Sequence, residues 1–322
     1  MGILKANSAN IERAAEVIKS GGIVAFPTET VYGLGANGFD AEAVARIFEA
    51  KNRPSFNPLI MHISDVQQLD DIVVIKNSVT EKLIEKFWPG PLTLVLEKTK
   101  KVPAIVTSGH PTVAVRMPDH KTALELIFKA GMPIAAPSAN QFGKLSPTEA
   151  EHVEEQLGDK VDIILDGGHC DVGIESTIVQ ITSDDIFLLR HGGLPIEEIE
   201  ETLGREIEQK VNNVTPNSPG QLPYHYAPDV PIVCINDIKL SDLKGKKIGA
   251  LFFKEQNLDF PFVKIKVLSP TGNLREAAAN LFSFIHELEH EDIDLILCEK
   301  IGGKELGHAI DDRLTKAAKK FI

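Results

Sequence analysis

Polar and charged side chains recur at the ends of the apolar runs in the first two thirds of this sequence. They are Thr28-Glu29-Thr30, Lys51-Asn52-Arg53, Asn57, His62, Thr112, Arg116, Ser138-Ala139-Asn140, Ser146, Glu175-Ser176-Thr177 and Arg190. Strand-end loops of an α/β fold meet at one edge of the sheet, where ligands bind. Arg116 closes the run Val113-Ala-Val-Arg116, and Arg190 closes Ile186-Phe-Leu-Leu-Arg190. Both are therefore expected at a sheet edge with their forks aimed outward. Lys51 and Arg53 stand two apart beside Pro54, so an extended segment would send both into one cleft. The chain as a whole is acidic, with 34 Lys+Arg against 46 Asp+Glu and a net charge of −12. Four cations in one cleft of such a chain point to a polyphosphate ligand, with one carboxylate beside it.

Single residues also have plainer readings. Ser146-Pro-Thr-Glu149 fits a capping box, so Ser146 can cap a helix; a capping serine can face an anion as well. His62 in an apolar strand fits a satisfied core histidine. Lys51 fits a helix-end lysine favoured by the dipole. None of these readings accounts for hydroxyls, amides and cations recurring at loop after loop.

Two familiar motifs are set aside. Gly33-Leu-Gly-Ala-Asn-Gly38 matches the dinucleotide fingerprint, which needs a strand directly before it, a helix directly after it and an acidic residue about twenty positions on. Here Pro27 to Gly33 intervene after the strand, and the later position holds Pro58. The glycines are read instead as a loop that something approaches closely. His286-Glu-Leu-Glu-His290 matches a zinc-protease pattern, but only His308 is at hand as a third ligand. It is read as an exposed, charged helix face.

Residues 1–210 alternate helical and strand periodicities. Ile11, Ala14, Ala15 and Ile18 share one helical face, and Asp40 caps a helix carrying Val44, Ile47 and Phe48. Ser78 and Glu81 form a capping box for a helix ending at Trp88-Pro-Gly-Pro91. Strands are expected at 22–26, 58–63, 92–96, 113–116, 133–136, 161–165, 176–181 and 186–190, with helices near 119–130 and 146–157. Some neighbouring strands leave no room for a crossover helix, so the sheet is expected to be mixed. Residues 211–231 hold Pro216, Pro219, Pro223, Pro228 and Pro231, which favours an extended connector. Residues 232–322 form a smaller α/β unit, with strands near 231–235, 247–253 and 293–298 and a helix near 273–290.

The 322 residues suit about two domains, and an apolar fraction of 43 % excludes wholesale disorder. The net charge excludes nucleic-acid binding by bulk charge. Cys170, Cys234 and Cys298 are far apart and form no C-x-x-C pair, which excludes a disulfide scaffold or a Cys-rich zinc site. No apolar run approaches the roughly 18 residues of a membrane span. The start lacks a signal-peptide core, and Ala6 replaces the Ser or Thr of a myristoylation site. A cytoplasmic protein without a membrane partner is expected.

Several segments together resemble the YrdC-like catalytic domain. They are Pro27-Thr-Glu-Thr-Val-Tyr-Gly-Leu-Gly35, Lys51-x-Arg53-Pro, Asn57-Pro-Leu, Trp88-Pro-Gly-Pro-Leu-Thr93, Thr112-Val-Ala-Val-Arg-Met-Pro118, Ala136-Pro-Ser-Ala-Asn140, Ser146-Pro-Thr148 and Gly173-Ile-Glu-Ser-Thr177. The connector, with Ser218-Pro-Gly220 and His225-Tyr-Ala-Pro228, and the tail Gly307-His-Ala-Ile-Asp-Asp-Arg-Leu314 are similar to the longer form of the threonylcarbamoyl-AMP synthase family. The resemblance implies a YrdC-like domain with a twisted mixed sheet and flanking helices, joined to a smaller C-terminal Rossmann-like α/β domain. Small departures are Asn52 where glycine is common, and His191-Gly192 where proline-glycine is common.

The resemblance also implies an activity: L-threonine, bicarbonate (or CO2) and ATP give threonylcarbamoyl-adenylate and pyrophosphate, for the threonylcarbamoyl-adenosine modification of tRNA. It makes Lys51 and Arg53 catalytic, and has them bind ATP with Asn57, Thr112, Ser138, Asn140, Ser146 and Arg190. Threonine falls to Thr30, His62, Arg116, Ser176 and the backbone at Ala136, with His225 and Tyr226 as lid contacts. Mg2+ accompanies ATP, and no protein-held metal is expected. The tRNA threonylcarbamoyl-transferase machinery is the downstream partner, and a weak direct tRNA contact stays open. The rival of another class is a non-catalytic RNA-binding module using the same basic cleft. A hydrogenase-maturation carbamoyltransferase is set aside because its zinc-finger cysteines are absent.

Overall fold

The computed structural model describes residues 2–74, 77–183, 185–210, 225–256 and 258–319. The strands of the larger sheet are β1 (Ile3–Lys5), β2 (Val24–Phe26), β3 (Gly33–Asn37), β4 (Ile60–His62), β5 (Leu92–Glu97), β6 (Thr112–Arg116), β7 (Ile134–Ala135), β8 (Ile163–Asp166), β9 (Thr177–Ile181), β10 (Ile186–Arg190) and β11 (Glu208–Gln209). Their order is β1-β8-β2-β3-β7-β4-β6-β5-β9-β10-β11, with parallel and antiparallel pairs intermixed, as expected from the short connections. Around it lie α1 (Ser8–Lys19), α2 (Ala41–Lys51), α3 (Leu69–Ile72), α4 (Ser78–Phe87), α5 (Lys121–Ala130), α6 (Ala150–Leu157) and α7 (Ile196–Leu203). The smaller sheet comprises β12 (Ile232–Cys234), β13 (Ile248–Phe252), β14 (Lys264–Val267) and β15 (Leu295–Cys298), in the order β12-β15-β13-β14 with every pair parallel. It carries α8 (Leu274–Glu289) and α9 (Leu306–Ala318). Of the Pro-rich connector, residues 211–224 lie outside the described residues.

Local chemistry sets the helix ends. The apolar stripe Ile11, Ala14, Ala15 and Ile18 of α1 is buried, and Asn7 accepts the Asn10 amide to start it. The Asp40 carboxylate accepts the Glu42 and Ala43 amides at the start of α2. That helix ends on Asn52 at φ 51°, ψ 40°, a left-handed cap that suits glycine or asparagine and explains the Asn52 departure.

Three local expectations are corrected. The cap of α4 is Asn77, whose side chain accepts the Thr80 amide, rather than Ser78. Ser146 does not cap α6, which starts at Ala150 after Glu149; its hydroxyl is drawn away to Glu175. The glycine-rich segment 33–38 is no loop: Gly33–Asn37 is a strand between β2 and β7. A Cβ at Gly35 would lie 2.5 Å from Ile134 and 2.7 Å from Phe26, so packing, not phosphate binding, requires that glycine.

The HExxH face is exposed at Glu287 and His290 but not at His286. His286, on α8, is 3 % exposed and stacks on His152 of α6, ring centroids 3.9 Å apart. Among the described residues no group of three His, Cys, Asp or Glu is placed to hold a metal. Burial, then neighbouring histidines, pulls His152 down to about 4 and His286 to about 3. Between those values and the unfolded value near 6.5 the unfolded chain binds more protons, so stability there rises with pH. The thermal unfolding midpoint is expected to hold steady above pH 7 and fall as pH drops from 6.5 toward 4. A midpoint flat over that range in a pH series of unfolding scans would contradict the stacked, neutral pair.

Candidate functional site

The site forms where the middle strands end. In parallel register β4 sets His62 opposite Arg116 of β6, and β7 sets Ile134 against His62. The β2–β3 turn brings Thr28, Glu29 and Thr30 over this edge, and the loop before β9 brings Glu175 and Ser176. Together with Arg53, Ala136, Ser138, Arg190, His225 and Tyr226 these elements line one cavity.

Arg116 is fixed on three sides. Its Nη1 donates to Thr30 Oγ1 at 2.9 Å, its Nε donates to the Gly90 carbonyl at 3.2 Å, and its Nη2 meets Glu29 Oε1 at 2.6 Å. The last is a charge contact whose angle is not that of a hydrogen bond, since Nη2 and both Glu29 oxygens have no hydrogen-bond partner. The Trp88-Pro-Gly-Pro91 segment thus serves the site by offering Gly90. His62 is held neutral, pulled down to about 3 first by burial and then by Arg116. Its Nδ1 donates to the Ile60 carbonyl at 3.2 Å, which leaves Nε2 as an acceptor. The Ala136 N–H donates to Ile60 O, so the carbonyl is the backbone group Ala136 has to offer.

Arg190 donates from Nε and Nη2 to the Ser176 carbonyl at 3.1 and 2.8 Å and from Nη2 to Ser176 Oγ at 3.2 Å. Ser176 Oγ also shares a proton with Thr93 Oγ1 at 2.7 Å. Gly192 packs against this turn: a Cβ there would lie 2.2 Å from the Ser176 carbonyl carbon. Arg53 donates to the Asn57 and Pro58 carbonyls at 3.0 and 2.9 Å. Burial, with Arg190 nearby, lowers Arg53 to about 9. Burial also pulls down Lys51 and Arg190. Among the described residues neither Lys51 nor Arg53 has a carboxylate partner. Such a group of dry, under-compensated cations attracts a multivalent anion.

Two expectations about these cations need correction. Arg116 and Arg190 are 3 % and 5 % exposed and face the covered cavity, not outward. The segment 51–53 is not extended: Lys51 ends α2 and Asn52 turns the chain, so the two side chains diverge. Arg53 reaches the cavity. Lys51 lies behind it, donating to the Ser138 carbonyl at 2.6 Å and to the Asn140 carbonyl. Asn140 holds the same corner by accepting the Ser138 hydroxyl at 2.5 Å and donating to Gln141 O and Lys144 O.

Thr30, His62, Ala136, Ser138, Ser176, Arg53, Arg116, Arg190, His225 and Tyr226 are thereby brought together. Lys51, Asn57, Asn140 and Ser146 are buried but do not line the cavity, and half-buried Thr112 begins β6 at the end opposite Arg116. The Asn57 amide has no hydrogen-bond partner, nor do His225 Nδ1 and Tyr226 Oη. Buried polar groups are normally paired, so the two orphans that line the cavity, His225 Nδ1 and Tyr226 Oη, are free to meet a ligand there. Tyr226 has φ 63°, a region a bulky residue adopts only when its surroundings impose it. Here Ala227 N–H donates to Gly143 O at 2.9 Å, and the Tyr226 ring tilts against Phe282 at 5.5 Å.

Two carboxylates received no individual role from the sequence. Glu29 faces Arg116. Glu175 accepts the Ser146 hydroxyl at 2.5 Å and lies 3.0 Å from Arg313 of α9. Burial would raise Glu175, but Arg313, Arg190 and the Ser146 hydroxyl outweigh it and hold it at about 2. Their signal was adjacency: each sits between residues already singled out.

A family described as "Telomere recombination" matches residues 16–192, and one described as "Threonylcarbamoyl-AMP synthase, C-terminal domain" matches residues 194–319. The threonylcarbamoyl-AMP synthase of Pyrococcus abyssi is 44 % identical over 96 % of this chain and 94 % of its own. That of Bacillus subtilis is 40 % identical over 98 % of this chain and 94 % of its own. The crystal structure of P. abyssi Sua5 complexed with L-threonine superposes with a TM-score of 0.91 at 41 % identity, covering 99 % of this chain and 96 % of that one.

Proposed function

The chain belongs to the threonylcarbamoyl-AMP synthase family, and from that premise we propose that it condenses L-threonine, bicarbonate (or CO2) and ATP into threonylcarbamoyl-adenylate and pyrophosphate. The observation that carries this reading is the cavity itself: buried Arg53 and Arg190 on one flank, and the Arg116–Thr30–His62 corner on the other. The forked Arg116 suits an amino-acid carboxylate, and Thr30 and neutral His62 suit its hydroxyl. Ser176 and the Ala136 carbonyl border the same corner.

In this reading the threonine amine adds to CO2 and gives up a proton, making a carbamate. A carbamate oxygen then attacks the α-phosphorus of ATP, an O–P bond forms, and the bond to the β-phosphate oxygen breaks as pyrophosphate leaves. Such a transfer needs alignment and charge neutralisation, not a covalent nucleophile. Arg53 and Arg190 neutralise the leaving group, while Lys51, Asn140 and Ser138 set the shape of its cradle. Asn57, Thr112 and Ser146 complete the nucleotide side, and His225 and Tyr226 cover the cavity. Glu175, which lines the cavity, and Glu29 beside it are engaged with Arg313 and Arg116, so neither carboxylate is offered to Mg2+. Mg2+ would in this reading come with ATP and help to neutralise its triphosphate.

In this reading residues 1–210 carry the chemistry and 232–322 form the smaller domain, and of the connector 211–231 the described His225 and Tyr226 line the cavity. No helix among the described residues is long and apolar enough to cross a membrane. The same reading puts the chain in the cytoplasm and its product with the machinery that moves the threonylcarbamoyl group to tRNA.

Pyrophosphate release by the purified chain is expected only when ATP, threonine and bicarbonate are all present. Release without threonine would contradict the reading. So would no release combined with RNA affinity that falls steeply with salt, the behaviour of a pure RNA binder.

A further inference from the structure

Arg313 is carried by α9 of the smaller domain, yet its side chain is 1 % exposed and ends beside the cavity of the larger one. Its Nε and Nη2 donate to Glu175 Oε2 at 3.1 and 3.0 Å, and its Nη1 donates to the His191 carbonyl at 2.6 Å. Its Cζ lies 5.4 Å from the centre of the Tyr226 ring. Each partner adjoins the nucleotide flank. Glu175 precedes Ser176, which holds Arg190. His191 follows Arg190 directly. Tyr226 covers the cavity. One planar cation therefore joins the Glu175 carboxylate, the backbone directly after Arg190 and the Tyr226 ring.

We propose that Arg313 is a positioning residue for the reaction, the side chain through which the smaller domain holds Glu175, His191 and Tyr226 in register around Arg190. The inference rests on the functional reading above. Burial alone would lower the Arg313 guanidinium, but Tyr226 and Glu175 hold it above its ordinary value. Without Arg313, Glu175 keeps its burial and loses the cation that lowers its pKa most, so its pKa rises. An ammonium in place of the fork preserves the charge but cannot reach three partners in different directions.

The test uses the full chain and three variants: Arg313→Gln, Arg313→Lys, and Arg313→Gln combined with Glu175→Gln. Pyrophosphate release is followed from pH 6 to 9, together with thermal unfolding and calorimetric binding of a non-hydrolysable ATP analogue. Arg313→Gln is expected to lose at least about tenfold in kcat/KM for ATP and to gain an acid limb that the parent lacks. Arg313→Lys should lose activity without that limb. The double variant should lack the limb, because the isolated carboxylate is gone. It should nevertheless stay at least about tenfold down, because the Arg313 contacts to the His191 carbonyl and the Tyr226 ring are still lost.

A folded Arg313→Gln chain with the parent's rate, pH profile and analogue affinity overturns the proposal. So does a double variant at the parent's rate, since Arg313 would then only neutralise Glu175. Should Arg313→Gln fail to fold, the lysine and double variants decide on the same criteria. A parent chain that releases no pyrophosphate contradicts the functional reading instead, and the analogue affinities still judge Arg313.

Discussion

Replacing Arg53 by glutamine is expected to lower kcat/KM for ATP by at least about 10²-fold, the scale of losing one preorganised charge at a transition state. The thermal unfolding midpoint should stay close to that of the parent. Both halves follow from one geometry: among the described residues the buried Arg53 side chain hydrogen-bonds only to the Asn57 and Pro58 carbonyls, and burial and Arg190 both oppose its charge. A cation in that position contributes little to folding and becomes favourable when a polyphosphate arrives. Lys51 differs. Its ammonium ties the Ser138 and Asn140 carbonyls together, so Lys51→Met leaves buried acceptors unpaired and should lower stability as well as turnover. Pyrophosphate release and unfolding scans on both variants check this, and near-parental turnover in Arg53→Gln would remove it from the chemistry.

Arg116→Ala is expected to raise the threonine KM by about 10²-fold, the scale of a charge-assisted fork to a carboxylate, with a much smaller change in the ATP requirement. It should also destabilise the chain by about 3 kcal/mol or more, because Glu29 would remain buried without its cation. Combining it with Glu29→Gln separates the two effects: stability should return while threonine affinity does not. Steady-state kinetics with each substrate varied, beside unfolding scans, measure both. A change confined to the ATP requirement would mean that the flanks of the cavity have been assigned the wrong way round.

The sheet was legible wherever apolar runs were continuous. The runs at 92–96, 113–116, 176–181 and 186–190 became β5, β6, β9 and β10 within a residue or so. β3 was not, because Gly33 and Gly35 have low strand propensity and the pairing of that segment with β2 and β7 is wholly tertiary. β1 and β14 are short edge strands, and β14 leaves Lys264 and Ile265 exposed, so neither carries a strong pattern. The stripe of α9 (Leu306, Ala309, Ile310, Leu314, Ala317) was present in the sequence, interrupted by Asp311, Asp312 and Arg313.

At the site, residue types singled out Arg53, Arg116 and Arg190, which the structure brings to one cavity, but not their directions. An outward fork and an inward one have the same sequence, and what holds them inward is Thr30, Glu29 and Gly90 for Arg116 and Ser176 for Arg190, all distant in the chain. Ser146 illustrates the same limit. Its capping pattern is sound locally, and a buried carboxylate 29 residues away outcompetes it. Arg313 is further still, 138 residues from Glu175, and no local rule connects them.

The most direct measurement is mass detection of the product from purified chain, ATP, threonine and carbon-13 bicarbonate. An adenylate of threonine carrying the heavy carbon, formed in step with pyrophosphate and lost in Arg53→Gln, is the predicted result. Pyrophosphate formed with no labelled adduct, or an adduct formed equally well by Arg53→Gln, would contradict the account.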